Sequence, residues 1–169
     1  IELDIAKIFD GLLRNERFYS AFYSTLDDLL IAAKNVLKYC KLSTEHKEGI
    51  SKYIHHIENT LPIRELLPNT RIPVEQYNDI LSDFTRCCNI IQDHYLNEEG
   101  KIQKELNEYR FYHKYSSEIH FLRNLHESIG GFSDFINSRI CGLANSPFLL
   151  LEGDAGVGKS HLFAERKGI

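Results

Sequence analysis

Residues 153–160 read Gly-Asp-Ala-Gly-Val-Gly-Lys-Ser, and no other stretch of the chain limits its possible folds so strongly. They fit G-x-x-x-x-G-K-[ST], the P-loop pattern. Just before them, Phe148 to Leu151 is an unbroken apolar run bounded by Pro147 and Gly153. Such a run suits a parallel strand buried on both faces. Just after them, His161-Leu162-Phe163-Ala164-Glu165 can continue as a helix. Strand, glycine-rich turn and helix in this order are the context the pattern needs.

The residue types dictate the chemistry. A phosphate chain carries dense negative charge and needs donors close by. Gly156 and Gly158 let the backbone turn sharply and approach the phosphates, because glycine tolerates positive φ. The amides of Val157 to Ser160 can then point into one concavity at a helix N-terminus. Lys159 is placed to reach the β- and γ-phosphates as a point charge. The Ser160 hydroxyl is placed to ligate Mg²⁺ bridging the phosphate oxygens. The candidate nucleotide-binding set is therefore Gly153, Gly156, Val157, Gly158, Lys159, Ser160 and His161, with Ser160 as the metal ligand and ATP with Mg²⁺ as the expected cofactors. No catalytic residue is identified. Ile169 follows Ser160 by nine residues. The strip reads as the front end of a nucleotide-binding domain, without the acidic residue that holds Mg²⁺ from its second side. On its own it is expected to be inactive in hydrolysis.

The remaining sequence is helical in pattern. The whole chain of 169 residues carries 20 Lys+Arg against 24 Asp+Glu, a net charge of -4, and is 43% apolar. That is enough apolar material for a core. The mild acidity disfavours nucleic acid or an anionic membrane as the main partner. No apolar run approaches membrane-spanning length. The opening IELDIAKIFDGLL lacks a basic leader, so no signal peptide is expected. The isoleucine start of a Met-free sequence reads as a processed or trimmed end. Cys40, Cys87, Cys88 and Cys141 show no C-x-x-C spacing and read as structural thiols of a reducing cytoplasm.

Apolar residues recur at threes and fours along most of the chain. Ile5, Ile8, Phe9, Leu12 and Leu13 form one helical face, and Phe18, Tyr19, Phe22 and Tyr23 an aromatic packing stripe. Ser24 and Thr25 are expected to open a new helix over Leu26 to Cys40. Ser43 or Thr44 caps the next, whose stripe is Ile50, Tyr53, Ile54, Ile57 and Leu61, ended by Pro62. His55 and His56 are adjacent and face different directions, so they suit solvent rather than a metal. Pro68-Asn69-Thr70 marks a turn. Pro73 precedes a stripe of Val74, Tyr77, Ile80, Leu81, Phe84, Cys88 and Ile91. Asn97-Glu98-Glu99-Gly100 reads as a polar turn, followed by a long helix from about Lys101 to Glu127. Its run Tyr109-Arg110-Phe111-Tyr112-His113-Lys114-Tyr115 reads as a helix seam rather than a nucleic-acid surface. Gly130-Gly131 is expected to break the pattern and divide a helical domain (1–130) from a linker helix and P-loop start (131–169). The expected fold is mainly α: a helical bundle followed by the first strand, P-loop and helix of an α/β P-loop domain.

The strip LLLEGDAGVGKSHLFAE resembles the nucleotide-binding start of STAND-type NTPases. It is most similar to the bacterial antiphage (AVAST, Avs-like) members, whose loops are of the type G-[DE]-A-G-[IV]-G-K-S-H-L. The resemblance covers about Phe132 to Glu165. It implies ATP·Mg²⁺ bound by Gly153, Gly156, Gly158, Lys159 and Ser160. It also implies a cytoplasmic switch in which a C-terminal sensor recognises a foreign protein, the ATP-bound domain oligomerises and an N-terminal effector is activated. Two alternatives stay open. One is a helical interaction or oligomerisation module, binding a protein partner or itself, whose P-loop piece is non-functional. The other is an AAA+-like, DNA-associated ATPase.

Overall fold

The computed structural model describes residues 15–60, 71–106 and 114–145. They form five helices: α1 (Glu16–Tyr39), α2 (Thr44–Thr60), α3 (Val74–Leu106), α4 (Ser116–Ile136) and α5 (Arg139–Asn145). No strand occurs among the described residues. The expected apolar face at Ile5 to Leu13, the Pro68-Asn69-Thr70 turn, residues 109–113 of the aromatic run and everything from 146 onward lie outside the described residues.

Each helix follows from its local sequence. Asn15 caps α1, its side-chain Oδ1 accepting from Phe18 N at 3.1 Å. Phe18, Phe22, Leu26, Leu29, Ala33 and Val36 then bury one stripe. Ser43 caps α2 as expected, its Oγ accepting from His46 N at 3.2 Å. Ile50, Ile54 and Ile57 are its buried face. Pro73, whose missing N–H costs nothing at a helix start, immediately precedes α3.

Four expected boundaries are corrected. No helix starts at Ser24–Thr25, because α1 runs through them. The Thr25 hydroxyl donates to its own helix, to Ala21 O at 2.9 Å, so the side chain that was expected to cap is already satisfied. No turn occurs at Asn97–Gly100, because α3 runs on to Leu106. Tertiary contacts hold it there. Tyr95 and Glu99 continue the buried stripe, and Tyr95 OH donates to Lys41 O at 2.9 Å. The single helix expected over 101–127 is interrupted, since Lys114 and Tyr115 form a turn ahead of α4. Finally, Gly130–Gly131 does not break α4. Ile129, Phe132 and Ile136 stay on the buried stripe. Burying such side chains contributes about 1.5–3 kcal/mol each, against about 1 kcal/mol lost per helical glycine. Packing wins.

The four long helices close into a ring, with α1 against α2, α2 against α3, α3 against α4 and α4 against α1. Neighbours run antiparallel. Phe18 meets Phe135 and Tyr39 meets Phe121 across α1 and α4. His46 meets His94 and Tyr53 meets Phe84 across α2 and α3. This is the up-down-up-down bundle that short connections favour. At its centre the Phe22 ring sits 5.8 Å from Phe132, which is 5.3 Å edge-on from Tyr77. Three helices meet in that stack.

Tyr77 is fully buried and its hydroxyl has no hydrogen-bond partner among the described residues. An unpaired buried hydroxyl costs about 1–3 kcal/mol. Tyr77→Phe is therefore expected to raise stability by about 1 kcal/mol, read as a rise of a few degrees in thermal midpoint. A loss of stability instead would show that the hydroxyl has a partner.

Candidate functional site

The sequence assigns the nucleotide site to Gly153, Gly156, Val157, Gly158, Lys159, Ser160 and His161. All seven lie outside the described residues. What the structure places is the approach to them. After α4 the chain turns at Asn137–Ser138 and enters α5, which seats Cys141 and Ala144 in the core. Ile140 and Leu143, on the opposite face of α5, are exposed.

Two pairs of asparagine contacts fasten this corner to the start of α3. Asn145 Nδ2 donates to Ile72 O at 2.8 Å, and Ile72 N donates to Asn145 Oδ1 at 2.8 Å. The side-chain amide thus pairs with a backbone unit as a neighbouring strand would. Asn137 and Asn78 exchange two hydrogen bonds, at 2.9 and 3.0 Å. Asn137 Nδ2 also donates to Ser133 O at 2.8 Å. Asn145, the last of the described residues, is thereby held by both polar atoms of its side-chain amide.

The other chemistry-bearing side chains are occupied with structure. Cys40, Cys88 and Cys141 are buried, Cys87 is half-buried, and none of the four is in a disulfide. Among the described residues no group of three His, Cys, Asp or Glu could hold a metal ion. His55 and His56 are exposed, as their spacing predicts. Glu99 is buried, and its Oε1 accepts from Tyr115 N at 2.9 Å. It caps α4 from a different helix, where Tyr115 offers no side-chain cap of its own. A carboxylate at a helix N-terminus is favourable for both its hydrogen bond and its charge. Glu99 looked like a turn residue in the sequence, and only the folded chain reveals its role.

Burial perturbs several titrations. The Cys40 thiol is pushed up to about 11 by desolvation and then by the Glu118 charge. Cys88 is pushed up to about 12 by desolvation and then by Cys87. Tyr95 is also raised, first by desolvation and then by Cys40, Glu118 and Tyr115. None of these groups is an activated nucleophile at neutral pH, since a reactive thiol needs a lowered pKa. The linkage has a definite sign. The folded state holds these protons more tightly than the unfolded chain, whose thiols titrate near 9. The stabilisation is complete below pH 9 and is lost as pH rises through 11 and 12. Urea midpoints are expected to stay level from pH 7 to 8.5 and to fall steadily above pH 9. A level profile up to pH 12 would contradict the burial of these groups.

Comparison with protein-family models, with curated proteins and with solved structures finds no match to this chain. No helix among the described residues is long and apolar enough to cross a membrane.

Proposed function

We propose that the chain is the N-terminal part of an ATP-binding regulatory NTPase of the STAND type, with a helical bundle placed ahead of the nucleotide-binding segment. One observation carries this: Gly153-Asp154-Ala155-Gly156-Val157-Gly158-Lys159-Ser160 completes the P-loop pattern directly after the apolar run Phe148–Leu151. In this role Gly156 and Gly158 admit the backbone to the phosphates. Lys159 neutralises the β- and γ-phosphates, and Ser160 ligates Mg²⁺. The similarity of the Gly153–Leu162 string to antiphage members of that class supports a cytoplasmic defence or signalling switch. The partners would then be a nucleotide and other protein chains. The net charge of -4 speaks against DNA as the substrate. The test is titration of ATP with Mg²⁺ into the wild-type and Lys159→Ala proteins.

A second role is favoured by the bundle itself. The buried apolar residues described between Phe18 and Ala144 form one cluster. A helical region with its own core can serve as a protein-interaction or oligomerisation module whether or not the P-loop binds nucleotide. A fragment ending near Asn145 is expected to unfold in one cooperative transition, and a broad, non-cooperative melt would speak against an independent module.

A further inference from the structure

The large apolar side chains exposed among the described residues are Ile31, Tyr39, Ile90, Leu96, Ile140 and Leu143. Single apolar residues scattered over a surface are ordinary. Ile140 and Leu143 are different. They lie one turn apart on the seven-residue α5, 60% and 43% exposed. The helix that presents them is fixed in place. Cys141 and Ala144 seat it in the core, Asn145 pairs with the Ile72 backbone, and Asn137 pairs with Asn78 just ahead of it. A face held this firmly loses little freedom when something covers it.

α5 lies at the end of the bundle where α1 begins. The Phe18 ring, in the first turn of α1, is 5.6 Å from the ring of Phe135, and α5 starts soon afterwards at Arg139. Residues 1–14, which lie outside the described residues, therefore join the bundle at this end. Their sequence carries a one-sided stripe. Ile5, Ile8, Phe9, Leu12 and Leu13 recur at threes and fours, and at about 100° per residue Asp4, Lys7 and Asp10 fall on the other side. Such a stripe needs one apolar surface to lie on, which is what α5 offers. The other apolar run close to α5 in sequence, Phe148–Leu151, is apolar at consecutive positions and so suits cover on both faces, as in a sheet. A tethered segment also outcompetes a separate molecule, because its effective concentration is on the order of millimolar and it has little translational freedom left to lose.

We propose that residues 1–13 form an amphipathic helix that docks on the outward face of α5, its apolar stripe seated over Ile140 and Leu143, and so closes this end of the bundle. Thirteen residues of helix span about 20 Å, enough to cross the roughly 10 Å of α5. The polar side, with Asp4, Lys7 and Asp10, then faces water. The docking needs no nucleotide, so it and the P-loop reading fail separately.

The test is amide hydrogen exchange on the full chain, read by mass on peptides. Residues 3–13 are expected to be protected in the wild type and to exchange about tenfold faster or more in Ile140→Ser/Leu143→Ser. Amides of α2 should stay protected, which shows that the bundle is still folded. Ile90→Ser/Leu96→Ser is the matched control. It removes the same kinds of exposed side chain from α3 and is expected to leave residues 3–13 as they were. A thermal cycle gives the second reading. Ile140→Ser/Leu143→Ser and Phe9→Ser/Leu12→Ser should each lower the midpoint by about 5 °C, and combining all four changes should lower it scarcely further, because both pairs remove one contact. Unprotected residues 3–13 in the wild type would overturn the proposal, as would protection that Ile140→Ser/Leu143→Ser leaves intact, or midpoint losses that simply add. Exchange that quickens over 61–70 or 148–163, with 3–13 unchanged, would assign the face to one of those segments and overturn it. Self-association of the wild type that Ile140→Ser/Leu143→Ser abolishes, with 3–13 unprotected, would assign it to a second copy of the chain and likewise overturn it.

Discussion

Phe22→Ala is expected to remove about 3–5 kcal/mol of stability, the range for truncating a fully buried phenylalanine. Phe22 has no exposed surface. Its ring touches four others: Tyr23 at 5.5 Å, Phe132 at 5.8 Å, Phe135 at 6.0 Å and Phe18 at 6.5 Å. Phe132 in turn meets Tyr77, so the cavity opens where α1, α4 and α3 converge. Large rings on three rigid helices cannot collapse inward without moving whole helices, which keeps the cost near the top of the range. A domain of this size has about 5–15 kcal/mol in total. Loss of a third or more of it would appear as a large drop in urea midpoint at constant m-value. Ile31→Ala is the comparison. The two side chains lie on the same helix, but Ile31 is 57% exposed, and its truncation is expected to cost less than about 0.5 kcal/mol. Similar losses for both would mean that α1 does not present the face described.

The apolar stripes that build the bundle are plain in the sequence, because helical periodicity is a local property. Phe18 with Phe22, and Leu26 with Leu29 and Val36, each read as a packing stripe, and the structure joins the two on one face of α1. The capping role of Ser43 is equally local. Local turn signals misled at three places for one shared reason. Ser24–Thr25, Asn97–Gly100 and Gly130–Gly131 all favour a break. In each case side chains at or beside the signal are buried: Leu26, Tyr95 with Glu99, and Phe132 with Ile136. Tertiary packing outweighs a propensity worth about 1 kcal/mol per residue.

The polar fastenings were not legible at all. Asn145 and Ile72 are 73 positions apart, and Asn78 and Asn137 are 59 apart. An asparagine that pairs across such a distance looks, in sequence, like any surface or turn residue. An open groove of about 450 Å³ along the seam between α1 and α4 was hidden for a related reason. Thr25, Asp28, Asn35, Asn124 and Ser128 read as an ordinary solvated face, and only the antiparallel pairing of the two helices makes them the walls of one trough. The P-loop set is the opposite case. Its pattern is local and chemical, and since Gly153 to Ser160 lie outside the described residues it rests on the sequence alone.

Lys159→Ala is expected to weaken ATP·Mg²⁺ binding about a hundredfold or more. The lysine would be the one mobile cation of the loop, spanning the β- and γ-phosphates where the negative charge is densest. A hydrogen bond to a charged group is worth about 1.5–3 kcal/mol, and each 1.4 kcal/mol is tenfold in affinity. A point charge that serves two phosphates should therefore account for two orders of magnitude. Because residue 159 follows Ala144, the last described core residue, by fifteen positions in sequence, the same substitution is expected to leave the thermal midpoint of the helical region unchanged. Ser160→Ala should act differently, removing the Mg²⁺ dependence of binding more than the binding itself. Loss of helical structure in the Lys159→Ala protein would mean that the loop residue is structural.

The most direct measurement is a calorimetric titration of ATP with Mg²⁺ into the longest natural chain that carries residues 1–169, run in parallel with its Lys159→Ala variant. Saturable binding by the wild type, strongly weakened in the variant, is the predicted result. Equal affinity in the two proteins, or no binding by either, would contradict the assignment of Gly153–Ser160 as a nucleotide site and leave the helical bundle as the functional part of the chain.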